Sequence, residues 1–197
     1  MRSKSLFILL AIWMAPCFAA EDTSARILAG AQKQAAEHTA YVPGYVSIGY
    51  PNGDVPRAGG VCTDVVVRSF RAAGIDLQKL IHDDMLAAFD QYPRKYGLSQ
   101  PDSNIDHRRV PNQMRFFSRK GTAVTMEVSP ETLGEWKVGD IVYWKLNNGL
   151  DHCGVISSRR NAAGVPLVIH NIGNCSEDDC LTKWKIIGHY RYPKQAP

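Results

Sequence analysis

From residue 122 to residue 192 the chain breaks into five short runs, TAVTMEV, GDIVYWKL, DHCGVISS, PLVIHNIG and IIGHYRY. Each is rich in β-branched or aromatic residues and is bounded by turn formers, the pattern of strands in an antiparallel sheet. Asn147-Asn148-Gly149 marks the hairpin between the second and third runs, and 161–166 the hairpin between the third and fourth. The first half of the chain has a different texture. Residues 23–39 are alanine-rich and made of good helix formers. Residues 42–60 carry so much Gly and Pro that they read as loop. In 62–73, Val66, Phe70 and Ala73 recur at helical spacing and Gly74 supplies a stop, although three consecutive valines also suit a strand. A further helical pattern follows and ends at Pro93, and 110–121 has Pro111 in its first turn and Gly121 after its last. Helices followed by a strand meander predict an α+β domain.

The start of the chain, MRSKSLFILLAIWMAPCFAA, has Arg2 and Lys4, then an apolar run, then small residues before Glu21. That order predicts a signal peptide over residues 1–20, cleaved after Ala19 or Ala20 and taking Cys17 with it. The apolar run is short for a membrane span of about 20 residues, and no later segment is apolar enough to serve as one. The protein is therefore expected to be exported, periplasmic or extracellular, with no stable membrane anchor after cleavage. No repeat or long linker divides the remainder, so 21–197 is expected to be a single domain with a helical insert around 75–120. The whole chain carries a net charge of +4, and losing Arg2 and Lys4 with no acid leaves +2. So weak a balance calls for no nucleic-acid partner, although it is compatible with an anionic wall polymer. The mature domain is expected to be a monomer without a cofactor or metal.

Four cysteines remain after the leader: Cys62, Cys153, Cys175 and Cys180. An oxidising compartment permits disulfides, and Cys175 with Cys180, in CSEDDC, is the preferred pair, although spacing does not fix connectivity. Cys62 and Cys153 are then free thiols. Cys62 stands where a glycine approach becomes a helix, and exposed N–H groups at a helix start favour a thiolate. The candidate bases are histidines. His38 and His82 read as solvated helix residues, and His107 lies in a polar loop. His152 and His170 fall on strands either side of one hairpin. If that hairpin is centred on Asn161 the two oppose each other on one face, with Cβ atoms roughly 4.5–5.5 Å apart. A slip of one residue would separate them; in the favourable register Cys153 points the other way and reads as a buried core thiol. The resulting set is a thiol nucleophile (Cys62), a base (His152) and an orienting group (His170), with the Cys62 N–H as oxyanion donor. A helix-borne cysteine packed on a histidine-bearing antiparallel sheet is a papain-like layout.

The same residues carry a resemblance. GVCTDVVVRSF, WKVGDIVYW, DHCGVIS and VIHNIG, in that order, resemble the motifs of the NlpC-type peptidoglycan cysteine peptidases over roughly residues 45–192. Tyr50 falls where that family places a tyrosine near the nucleophile. NGDVP, GVCTDVV, IDHRRVPN and GDIVYW resemble more closely an exported bacterial family called domain of unknown function 1287. The resemblance implies a papain-like hydrolase of peptidoglycan stem peptides, with Cys62, His152 and His170 catalytic. The chain departs from the NlpC pattern at Thr63-Asp64, in the 78-residue step from Cys62 to Asp140, and in the His152–His170 gap.

Further candidates have two readings each. Arg108, Arg109 and Asn112 could clamp a substrate carboxylate or belong to a solvated loop with ion pairs to Asp102 or Asp106. Tyr50 could donate to the oxyanion or simply pack in its loop. Competing functions are a thiol amidase or acyltransferase on a different substrate, a silent wall-binding module, and a zinc site built from Cys175, Cys180 and His170.

Overall fold

The computed structural model of the chain describes residues 17–194. Most of the expected leader, residues 1–20, lies outside the described residues. Helix α1 (Cys17–Ala36) buries Ile27, Leu28 and Ala31 against α2 (Cys62–Ala72). The three valines of α2, Val65, Val66 and Val67, are all buried, since α1 covers one side of the helix and the sheet another. Tertiary burial here outweighs the modest helix propensity of β-branched residues. Helix α3 (Leu77–Ala87) is capped by Asp76, whose carboxylate accepts from the Gln78 and Lys79 N–H groups. It ends earlier than its sequence pattern suggests, giving way to a 3₁₀ turn over Phe89–Gln91. Helix α4 (Val110–Lys120) begins with Pro111 in its first turn. Asp84 joins α3 to α4 by accepting from Tyr92 Oη at 2.7 Å and Arg119 Nε at 2.8 Å.

The sheet has six strands in the order β3-β8-β4-β5-β6-β7, and every pairing is antiparallel. They are β3 (Thr122–Ala123), β4 (Ile141–Lys145), β5 (Asp151–Arg160), β6 (Pro166–Asn171), β7 (Cys175–Asp178) and β8 (Lys185–Arg191). The α+β expectation therefore holds, and four of the five runs form strands at full or nearly full length. The run from 122 keeps only two paired residues. Beyond it the chain leaves the edge and folds across the sheet's second face, where Trp136 stacks on His189 at 3.8 Å. That departure has a physical cause, because the sheet is apolar on both sides. Ile141 and Tyr143 of β4 enter the core beneath the helices, while Val142 and Trp144 enter a second core with Trp136, Ile156, Val168 and Leu181. Something must cover the second face, and residues 124–138 do so. Strand β7, with the sequence CSED, has no apolar alternation to announce it.

Among the described residues no helix is long and apolar enough to cross a membrane.

Candidate active site

Cys62 is the first residue of α2 and is set there by its approach. A short parallel pair, β1 (Ala40–Tyr41) with β2 (Gly59–Gly60), delivers the chain to the helix start. A side chain at Gly59 would place its Cβ 2.7 Å from Val42 Cγ2, so only glycine permits this close passage. Asn171 Nδ2 at the end of β6 donates to Thr39 O at 3.0 Å and so ties β1's approach to the sheet. Val61 precedes the helix in an extended conformation and has no capping side chain of its own. Asp64 supplies what is missing, its Oδ2 accepting from Val61 N–H at 2.7 Å.

Asp64 has a second role that accounts for the unusual Thr63-Asp64 pair. Arg108 donates to both its oxygens, Nε to Oδ1 at 2.8 Å and Nη2 to Oδ2 at 2.9 Å, with both side chains almost fully buried. Thr63 Oγ1 donates to Arg108 O at 2.9 Å, and Gln113 Nε2 reaches both His107 O and Thr63 O. The insert is thus bolted to the first turn of the nucleophile helix. The charge of Asp64 is neutralised by Arg108 rather than directed at the thiol.

The Cys62 thiol is held down to about 5 from an ordinary value of 9.0. The leading cause is the Cys153 side chain donating toward its sulfur; the His152 imidazole and the Cys153 backbone N–H add to it, against the opposing effect of burial. Cys153 is the converse case, raised well above the ordinary thiol range by burial and by the Cys62 charge. Cys153 does lie on the helix-side face, as strand parity suggests, but there it serves as the partner of Cys62 as well as a core residue.

His152 and His170 meet, with His152 Nε2 and His170 Nδ1 2.8 Å apart and both rings buried. Their register differs from the expectation. His170 is opposite Gly154, so His152 lies two positions along: the Arg160–Pro166 pair centres the turn beyond Asn161, and an irregularity between Ile156 and Arg160 takes back only part of that offset. A shift of two residues preserves parity, and the side chains therefore stay on one face. Gly154 makes the diagonal contact possible: a Cβ there would sit 2.6 Å from Val168 Cγ1, 2.9 Å from Ile169 O and 3.1 Å from His170 Cβ. Trp144 stacks on His152 with centroids 5.7 Å apart, and Trp184 meets both imidazoles edge-on. Asp178 Oδ2 lies 3.1 Å from His170 Nε2, close but poorly aligned as a hydrogen bond. Burial, and next the charge of His152, lower His170 to about 4, so it is neutral at pH 7.

Several predicted site residues lie elsewhere or do other work. Tyr50 is absent from the cavity at Cys62; its hydroxyl donates to Asp83 at 2.9 Å and its ring packs on His82. Asn112 is buried and donates to Asp106 O at 3.1 Å, so it is no substrate clamp. Arg108 also lines the cavity at Cys62, but its guanidinium is taken up by Asp64 and by Gly44 O. Arg109 lines the cavity beside Cys62. The expected Cys175–Cys180 disulfide is not formed, and both cysteines are free. Cys175, at the start of β7, is buried in the helix-side core, whereas Cys180, past the end of that strand, is buried in the core on the opposite face. Burial raises both thiols to about 12. Among the described residues no group of three or more His, Cys, Asp or Glu side chains is arranged to hold a metal ion.

The cavity at Cys62 has a volume of about 370 Å³ and is walled by Tyr41, Tyr45, Tyr96, Thr63 and Arg109. Tyr41 and Tyr45 hold the places that Tyr50 does not. Sequence reasoning missed Tyr41, Cys153, Asp178 and the Trp144–Trp184 box. Tyr41 follows a helix end in an unpatterned loop, and Asp178 lies on a strand without a strand signature.

The family described as Domain of unknown function (DUF1287) matches residues 28–192, a span that encloses this whole constellation. The chain belongs to the DUF1287 family. It is also 48% identical over 172 residues to a protein named Uncharacterized protein YijF of Escherichia coli (strain K12), covering 87% of this chain and 82% of that one. In this DUF1287 chain the neighbouring Asp178 biases the tautomers of the imidazole pair. An ionised Asp178 can only accept, which favours a proton on His170 Nε2. His170 Nδ1 then accepts from His152 Nε2–H, and His152 Nδ1 is left as the nitrogen able to exchange a proton. A low-pKa thiol, a buried base with an oriented ring and a helix N-terminus can together perform acyl transfer.

Proposed function

We propose that this protein is an exported, papain-like thiol hydrolase of the NlpC type that cleaves amide bonds in peptidoglycan stem peptides. The observation that carries the reading is the Cys62 thiol, lowered to about 5 at the first turn of α2 and served by a His152–His170 pair in 2.8 Å contact. The Cys62 thiolate attacks the amide carbonyl carbon, and the Cys62 N–H stabilises the oxyanion. His152 protonates the departing amine, leaving a thioester on Cys62. Water then attacks that thioester, giving its proton to His152, and the acid leaves with the Cys62 thiolate and the protonated His152 regenerated. His170 positions His152 and does not touch substrate. The resemblance of GVCTDVVVRSF, DHCGVIS and VIHNIG to the NlpC motifs supports the choice of substrate. The same three residues would serve an amidase or acyltransferase equally well, so the substrate is what the experiment must decide.

Digestion of defined muropeptides by the mature protein, with products identified by mass spectrometry, tests this. Wild type is expected to release stem-peptide fragments, and Cys62→Ala to lose at least about 10³-fold in rate. Uncleaved profiles from both proteins across stem and cross-bridge substrates would remove the peptidoglycan assignment. Cleavage by Cys62→Ala at the wild-type rate would remove the mechanism.

A further inference from the structure

Arg108 and Arg109 are neighbours in sequence with opposite fates. Every nitrogen of Arg108 is engaged by Asp64 or Gly44. Arg109 has no hydrogen bond or ion pair from its guanidinium among the described residues, and its Nη1 is shut off from solvent without an acceptor. A buried donor lacking a partner is rare in folded proteins and costly to leave unmade. The group is also held in place. Its Cζ lies over the Tyr96 ring, 4.8 Å from the centroid. Tyr96 is placed there by a backbone φ of 73°, a left-handed conformation that a bulky residue seldom adopts and that clusters at binding sites. The cavity they share is also lined by Cys62. Of the acids nearby, Asp151 is paired with both Lys95 and Lys145, and Asp102, which feels the Arg109 charge, is hydrogen-bonded instead by Tyr45 and Asn104. Two further polar groups of the wall are engaged: Thr63 Oγ1 donates to Arg108 O, and Tyr45 Oη bonds Asp102 and Asn104. Arg109 thus brings a stacked, unpaired cation to the wall of the cavity that Cys62 also lines.

We propose that Arg109, stacked on Tyr96, is the specificity-determining residue of this site and pairs with a free carboxylate of the substrate next to the bond that Cys62 attacks. This rests on the hydrolase reading and narrows it to acidic acyl substrates. A planar guanidinium suits a carboxylate in two-point contact, and a carboxamide cannot replace that charge.

Two measurements test it, and the first needs no knowledge of the substrate. Iodoacetate and iodoacetamide alkylate the same sulfur, each losing iodide, and differ in one carboxylate. The iodoacetate-to-iodoacetamide rate ratio at Cys62, read by peptide mass spectrometry, is expected to fall by about 10-fold or more in Arg109→Gln and to be partly kept in Arg109→Lys. A ratio unchanged by Arg109→Gln overturns the proposal. The second compares a stem tetrapeptide having free carboxylates with the same peptide amidated at each carboxylate in turn. Wild type is expected to favour one free form by about 10- to 100-fold in kcat/KM, and Arg109→Gln to abolish that preference. A preference that survives in Arg109→Gln also overturns it. A chain that cleaves no peptide yet keeps the Arg109-dependent alkylation ratio would refute the hydrolase reading while supporting the carboxylate site.

Discussion

Arg108→Ala is expected to destabilise the domain by about 3–5 kcal/mol, although Arg108 lies in a segment that reads as a polar loop. The cost comes from Asp64. With Arg108 gone, a buried carboxylate is left beside the helix start with one N–H donor, from Val61, and no counter-charge. For a domain of this size the loss corresponds to a Tm drop of about 6–20 °C by calorimetry. Arg108→Lys is expected to recover little, because an ammonium cannot meet both Asp64 oxygens at 2.8 and 2.9 Å while also reaching Gly44 O. Arg108→Ala combined with Asp64→Ala is expected to be less destabilised than the sum of the two single changes, as the unpaired charge is then absent. A loss below about 1 kcal/mol for Arg108→Ala would mean that the pair behaves as an exposed one.

Gly154→Ala is expected to damage catalysis far more than stability. The added methyl would meet Ile169 O at 2.9 Å and Val168 Cγ1 at 2.6 Å, so β6 must move away from β5. Overpacking of this kind costs about 1–3 kcal/mol. His170 rides on β6 directly opposite, and its 2.8 Å contact with His152 cannot survive an outward shift. Misplacement of a catalytic group by about 1 Å is enough to lower rates about 10²-fold. The check is the rate of hydrolysis set against the urea midpoint. A Gly154→Ala protein with wild-type turnover would show that the imidazole pair tolerates the shift, and that His170 does not position His152.

The nucleophile helix and the two histidines were legible because each rests on a periodicity. Val66, Phe70 and Ala73 repeat at helical spacing, and the strand period of two puts residues 152 and 170 on one face in any register of even offset. The offset itself was not legible. The turn closes with Arg160 opposite Pro166, beyond an Asn161 centre, and the irregularity between Ile156 and Arg160 that partly offsets this has no signal in the sequence. Cys153 was legible as a residue on the helix-side face. Its contact with Cys62 depends on how α2 crosses β5, and sequence spacing carries no information about crossing. Tyr50 failed because a loop rich in Gly and Pro has no period to orient a side chain, and its hydroxyl found Asp83 instead. Arg108 and Arg109 are chemically identical in sequence. Only the fold shows that one is buried against Asp64 and the other left without an acceptor in the cavity.

The claim on which everything else depends is that Cys62 is a thiolate near neutral pH because of its neighbours. The decisive measurement is the rate of Cys62 alkylation by iodoacetamide as a function of pH, read site by site with mass spectrometry. The thiolate is the reactive form. A thiol lowered to about 5 should therefore gain reactivity as pH rises through 5 and level off above about 6. Cys153, raised well above 9.0, and Cys175 and Cys180, raised to about 12, should stay silent over that range. Cys153→Ala and His152→Ala should each move the Cys62 midpoint upward, since each removes a group that holds the thiolate. A Cys62 profile that climbs only toward pH 9, and is the same in both variants, would contradict the account.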